Sequence, residues 1–446
     1  MSVNPAPPRA TSAPASAGER RLRVLVSAYA CEPGRGSESG IGWDWVRQVA
    51  RFHDVWVVTR SSNREAIEGA LAAAPLPGVR WIYFDLPRRA RFWKRGTRGA
   101  RLYYYLWQVG AYFAAARARR DVRFDVAHHV TWGNYWSPSL FALSAIPFVW
   151  GPVGGGESAP RPFYASFGLR GRAYEHARDL ARALGEWDPL LRATCRGARV
   201  SVATTPDTAR RLVRLGARRV EVVPHAALPA DEITALAGVP PREGAPFRLV
   251  SVGRLLHWKG FHLGIAAFAR AAPSLGDAEY WIVGDGPQLG RLTRLARSLG
   301  VGDRVRFLGA LPRGEVLAAV AASDVLLHPS LHDSGGYVCL EAMAAGRPVI
   351  CLDLGGPGLM ITDDTGVKVA ARDPEQAVRD LAAAVTRLAG SAELRARLAA
   401  RGRERVSADF DWDRRGDLLA HLYGAPGASG PAAGAWAAAP APALSG

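Results

Sequence analysis

With 446 residues, 48% of them hydrophobic, the chain is too long for one ordinary core and too apolar for an extended or wholly disordered protein. Its longest apolar stretches, such as Phe141 to Trp150, are broken by proline and fall short of the roughly 18 residues a membrane-spanning helix needs, so a soluble or peripheral protein is expected. A net charge of +17 calls for an acidic partner, namely a phosphorylated substrate, anionic lipid headgroups or nucleic acid, although an arginine bias in an alanine-rich chain gives the same charge without a function behind it.

Residues 1–19 are rich in Pro, Ala and Ser and residues 425–446 in Gly, Ala and Pro, and both read as disordered tails. Arg20-Arg21-Leu22-Arg23 before Val24 to Ala30 and Cys31 has the look of a secretory signal. That apolar run is only seven residues long, which favours a first buried strand running into a glycine loop. Further strands are predicted at Val55 to Thr59, Val79 to Phe84, Val126 to His129, Pro147 to Val149, Val200 to Ala203 and Val220 to Val223. A second set follows the loop at Gly238 to Ala245: Arg248 to Val252, Glu279 to Val283, Val305 to Leu308, Val325 to His328 and Pro348 to Cys351. Helical patterns between them, such as Gly264 to Ala272 and Gln288 to Leu299, give β-α-β alternation in both halves. That alternation predicts an α/β protein with two doubly wound parallel sheets, Rossmann-like domains over 20–240 and 241–410, and a ligand cleft between them at the carboxyl ends of the strands. The four cysteines lie far apart without a C-x2-C pair, which argues against zinc or a disulfide framework and fits a reducing cytoplasm.

Several strand ends carry chemistry. Gly34-Arg-Gly36-Ser-Glu38-Ser-Gly40 would let backbone amides approach a phosphate or sugar. His128 and His129 end another strand, and either is a candidate catalytic group or a buried structural histidine. Trp150-Gly-Pro-Val-Gly154-Gly155-Gly156-Glu157 is an open-backbone loop suited to a ligand or to a tight turn. In Ser251-Val-Gly253-Arg254-Leu-Leu-His-Trp-Lys259 an arginine and a lysine five residues apart can neutralise a departing diphosphate. Trp281-Ile-Val-Gly284-Asp285-Gly286 closes a strand in a tight turn. Asp333 and Glu341 stand eight positions apart around Ser334, Gly335 and Gly336, and on a helix that spacing covers about 12 Å, the reach from a hexose to a ribose diol. The glycines there would open the backbone, and the following helix N-terminus would offer its amides to the diphosphate.

Taken together, these motifs resemble the retaining glycosyltransferases of family 4, which have the GT-B fold; the likeness covers about Arg23 to Tyr423 and is most specific from Val250 to Gly356. Aspartate at 333 replaces the family's usual glutamate, and Ser-Gly-Gly replaces Gly-Phe-Gly. The resemblance implies a donor-binding set of Gly36, Gly253, Arg254, Lys259, Gly284, Ser334, Gly335, Gly336 and Glu341, with Asp333 near the donor sugar and Glu341 at the ribose. Catalytic roles are expected for His128, His129, Arg254, Lys259 and Asp333. It implies a nucleotide diphosphate sugar donor, retention of anomeric configuration, no metal or other cofactor, and a C-terminal helix over 411–424 returning to the first domain. A glycan or lipid-linked acceptor in bacterial exopolysaccharide or envelope synthesis would suit the charge. Rival readings are an epimerase or glycan phosphorylase on the same architecture, or a non-catalytic adaptor.

The run Arg88, Arg89, Arg91, Phe92, Trp93, Lys94, Arg95, Arg98 and Arg101, followed by Tyr103-Tyr104-Tyr105-Leu106-Trp107, would suit the face of an anionic bilayer. A solvated helix with one buried aromatic face explains it equally, and single-stranded nucleic acid is the least favoured partner.

Overall fold

The computed structural model describes residues 20–34, 38–94, 96, 99–240, 244 and 246–423, the side chains of Arg88, Ala420 and His421 excepted. In the first half, β1 (Arg23–Ala28), β2 (Asp54–Thr59), β3 (Val79–Tyr83), β4 (Val126–Thr131), β5 (Phe148–Val153), β6 (Ala198–Ala203) and β7 (Val220–Val222) form one parallel sheet in the order β3-β2-β1-β4-β5-β6-β7. The second half holds β8 (Arg248–Val252), β9 (Glu279–Val283), β10 (Val305–Gly309), β11 (Val325–His328), β12 (Val349–Leu352) and β13 (Gly366–Val369), in the order β10-β9-β8-β11-β12-β13. In each sheet the strand order reverses between the first strand and the fourth, which opens a crevice at the carboxyl ends of β1 and β4 and of β8 and β11.

Both faces of each sheet are covered, which explains why the strands read as unbroken apolar runs. In β1, Val24, Val26 and Ala28 join the apolar cluster on one face and Leu25 the cluster on the other. The helix Trp412–Leu422 lies on the helix Glu38–Phe52, where Trp412 meets Trp45 edge-on at 6.4 Å and Leu419 and Leu422 join the first sheet's apolar layer. A second link runs the other way. Phe163 and Phe167, from the segment before the helix Gly168–Glu186, are buried in the core of the second sheet.

Two differences from the sequence reading matter, and one open alternative is decided. The edge strand β13 has no apolar run to announce it, since its four residues include Gly366 and Lys368. The segment from Asp333 to Glu341 is not one helix: Asp333 to Gly336 is a loop and the helix runs Tyr337–Ala344, so the rise-per-residue distance does not apply. In the helix Ala100–Asp121, Tyr103, Tyr104 and Trp107 face the core with Ala111 and Ala115, at helical spacing. Those rings are therefore not offered to a membrane, and Leu102, Leu106, Val109 and Phe113 are the exposed apolar residues instead. Arg95 and Arg98 lie outside the described residues.

Candidate functional site

A cleft of about 1090 Å³ separates the carboxyl ends of the two sheets, with Gly34, Glu38, Thr131, Gly154 and Thr204 on one wall and Gly253, Lys259, His328, Asp333 and Glu341 on the other. Its charged centre comes from two neighbouring strand ends. After β8 the chain turns through His257–Lys259 to Gly260, whose positive φ of 69° and contact with Pro329 leave no room for a side chain; a Cβ there would stand 1.8 Å from the Pro329 carbonyl oxygen. This close approach brings Lys259 Nζ to 2.5 Å from Asp333 Oδ2.

Asp333 uses both oxygens. Oδ2 also meets His328 Nε2 at 3.2 Å, while Oδ1 accepts from the amides of Gly335 and Gly336 at 3.2 and 3.3 Å. Burial alone would raise its pKa, but the Lys259 ammonium and the His328 contact outweigh burial and hold the carboxyl well below its usual range. The amides of these two glycines, expected to leave the backbone open to a ligand, are thus spent on Asp333. Across the cleft, the His225 imidazole approaches Gly335, so a Cβ on that glycine would meet Nε2 at 2.9 Å. Burial lowers the His225 pKa to about 4, leaving a neutral ring.

Glu341 is buried at the cleft and ion-paired to Arg313 Nη1 at 2.8 Å; Arg313 also contacts Glu232. Burial raises the Glu341 pKa against the opposing pull of Arg313. On the first wall Glu38 Oε1 accepts from the Gly133 amide at 2.5 Å, and burial raises its pKa too.

The expected site residues divide. Gly253, Lys259, Asp333, Ser334, Gly335, Gly336 and Glu341 all line the cleft, whereas Arg254 is exposed and does not. Gly284 does not line it either. A Cβ at Gly284 would stand 2.1 Å from the Gly253 carbonyl oxygen, so this glycine allows two strand-end turns to pack rather than a ligand to approach. His128 and His129 are corrected as well: both are fully buried inside β4. His128 bonds Tyr423 Oη through Nδ1 and the Gly151 carbonyl through Nε2, each at 2.7 Å. His129 bonds Ser27 Oγ at 3.1 Å and Tyr104 Oη at 3.2 Å. Every ring nitrogen has a partner within the fold, and neither histidine lines the cleft. Gly36 lies outside the described residues, although Gly34 before it and Glu38 and Gly40 in the first turn of the following helix line the cleft.

The sequence reading missed His225, His328 and Arg313. The two histidines stand at or just after strand ends, a position that could have flagged them. No local signal marks Arg313.

Comparison with known proteins agrees with this architecture. Residues 235–405 match the glycosyl transferases group 1 family, and residues 35–226 match the glycosyl transferase 4-like domain. A glycogen synthase of Mycobacterium tuberculosis is 38% identical over 184 residues, 41% of this chain but only 43% of that protein's length. The lipopolysaccharide core biosynthesis glycosyltransferase LpsE of Rhizobium meliloti is 33% identical over 252 residues, covering 56% of this chain and 70% of LpsE. Among solved structures, Anabaena HepE in complex with UDP and glucose superposes with a TM-score of 0.54 at 17% identity, over 90% of this chain and 99% of HepE. WaaG, a glycosyltransferase involved in lipopolysaccharide biosynthesis, gives 0.53 at 18% identity, over 89% and 99%. The fold is GT-B.

Proposed function

Because the chain belongs to the glycosyl transferases group 1 family, we propose that it moves a sugar from a nucleoside diphosphate sugar to an acceptor, with retention at the anomeric carbon and without a metal ion. The observation that carries this reading is the pairing of Lys259 with Asp333 on the cleft wall, one cation and one ionised carboxylate held side by side where the strand order reverses. Lys259 would compensate the charge that builds on the departing diphosphate, the work a divalent cation does elsewhere. Asp333 would stand at the donor sugar, holding Lys259 in place beside it, and Glu341 at the ribose hydroxyls, as an acceptor for paired O–H groups. The HepE structures in complex with UDP and with UDP-glucose support a nucleotide donor for a cleft of this shape.

A lipid-linked glycan of the bacterial envelope is the acceptor we favour. It would meet the exposed apolar residues Leu102, Leu106, Val109 and Phe113 on one helix and Leu180, Leu184 and Trp187 beside it, with Arg101 and Arg117 exposed on the first of these helices. Tyr105 and Asp188 join the two segments. Among the described residues no helix is long and apolar enough to cross a membrane.

Isothermal titration with UDP, ADP and GDP tests the reading: one of them should bind, and Lys259→Ala should weaken it. Turnover of the matching sugar nucleotide should depend on added acceptor and survive EDTA. Failure of all three nucleotides to bind would sink the proposal, and acceptor-independent isomerisation would replace it with an epimerase.

A further inference from the structure

The helix Gly168–Glu186 belongs to the first half of the chain, yet its buried carboxylate is engaged by the second. Glu175 is fully buried, and its Oε1 meets His257 Nε2 at 2.9 Å and His332 Nε2 at 3.2 Å. A carboxylate only accepts, so each imidazole presents its Nε2–H to the same oxygen. His257 lies two residues before Lys259, and His332 immediately precedes Asp333. The residue between His257 and Lys259 is held from both sides: the Trp258 ring stacks on Tyr174 at 5.1 Å and 14° and on His332 at 5.2 Å and 15°. Gly171 lets the helix come close, since a Cβ there would meet the His257 ring at 3.0 Å. The other Glu175 oxygen faces Arg178 Nη1 at 3.8 Å.

Both loops that carry the charged pair of the cleft are thus tied to one oxygen atom of the opposite half. We propose that Glu175 is a positioning residue of the donor site, fixing the distance between the Lys259 loop and the Asp333 loop through His257 and His332. The inference rests on the reading of Lys259 as a diphosphate ligand. Misplacement of a binding group by about 1 Å can cost orders of magnitude, and a residue acting through Lys259 has nothing left to position once that lysine is gone.

The test is a double-mutant cycle on the full chain, read as the dissociation constant of whichever of UDP, ADP and GDP the unaltered protein binds most tightly. Glu175→Ala should weaken binding about tenfold, and Glu175→Gln, whose amide oxygen still accepts, about threefold. In the Lys259→Ala background, Glu175→Ala should change affinity by less than about twofold. Should Glu175→Ala not fold, Glu175→Asp carries the same cycle, because its shorter arm reaches one imidazole at a time; about a fivefold loss is expected. An equal loss in both backgrounds would overturn the proposal in favour of a purely structural role. Unchanged affinity in Glu175→Ala beside a weakened Lys259→Ala would overturn it while sparing the donor-site reading, and unchanged affinity in Lys259→Ala would remove both.

Discussion

The strands β4 and β11 hold the same place in their sheets, beside the crevice where the strand order reverses, and both carry histidine near their carboxyl ends. Their histidines end in opposite environments. His328 is the last residue of β11 and contacts Asp333 at the cleft wall, whereas His128 and His129 are the third and fourth of six residues in β4. Side chains inside a strand covered on both faces point into the helix layers, alternately to one and the other. His128 accordingly meets Trp45 and Tyr423 on one side, and His129 meets Tyr104 on the other. The last residue of β4 is Thr131, and it does line the cleft. In a doubly wound sheet, a displacement of two residues along a strand separates a core histidine from a site histidine.

The largest effect should separate the two strand ends outright. Lys259→Ala is expected to lower sugar-nucleotide turnover about 10²- to 10³-fold, the cost of losing one preorganised charge on a developing anion, with the fold intact by circular dichroism. His128→Ala should instead cost about 3 kcal/mol of stability in denaturant titration, through a cavity and two lost hydrogen bonds, and leave nucleotide affinity of the folded protein within about twofold. Weak binding in a fully folded His128→Ala protein would break the comparison.

Acid should sharpen it. Burial lowers the His128 pKa from its usual 6.5 to about 4 and that of His129 to about 3. The unfolded chain therefore takes up these protons first. Stability is full above pH 6.5, falls as pH drops toward the folded values, and levels below them, by about 3 kcal/mol for a single buried histidine. The Asp333 carboxyl, held below its usual 3.8, behaves differently: its contribution is intact above that value and is lost only as pH falls further. Denaturant titrations from pH 7 to pH 3 should show the first loss reduced by one histidine's share in His128→Gln, with His129 and the other buried histidines still contributing, and unchanged in Asp333→Asn.

A smaller effect is expected at Glu341, for which we propose a ribose contact. Glu341→Ala should weaken nucleotide binding about tenfold, the loss of one charge-assisted contact, as read by titration. Smallest is the effect of the apolar stripe, which lies outside both strand ends. Leu106→Glu combined with Phe113→Glu should lower co-sedimentation with phosphatidylglycerol vesicles about fivefold while leaving nucleotide affinity unaltered. Equal binding of the altered and unaltered proteins to vesicles would remove that surface from the proposal.

The sequence by itself determined the architecture, because its signals are local. Buried parallel strands read as short apolar runs, helices as periodic segments, and their alternation leaves few topologies to choose from. The loops after β8 and β11 were legible for the same reason: glycine, lysine and acidic residues cluster directly after an apolar run, and Lys259, Asp333 and Glu341 meet at the cleft. Which other polar residues join them was decided only in three dimensions. Arg254 and Gly284 sit in equally suggestive turns, yet one is exposed and the other packs on the Gly253 backbone. The contacts of Glu175 with His257 and His332 span 82 and 157 residues, and those of Arg313 with Glu232 and Glu341 join three separate helices. No periodicity or spacing encodes such pairs, since they follow from how segments far apart in the chain pack on one another. Within β4 and β11 the residue type is the same, and only the point at which each strand stops places one histidine in the core and another at the site.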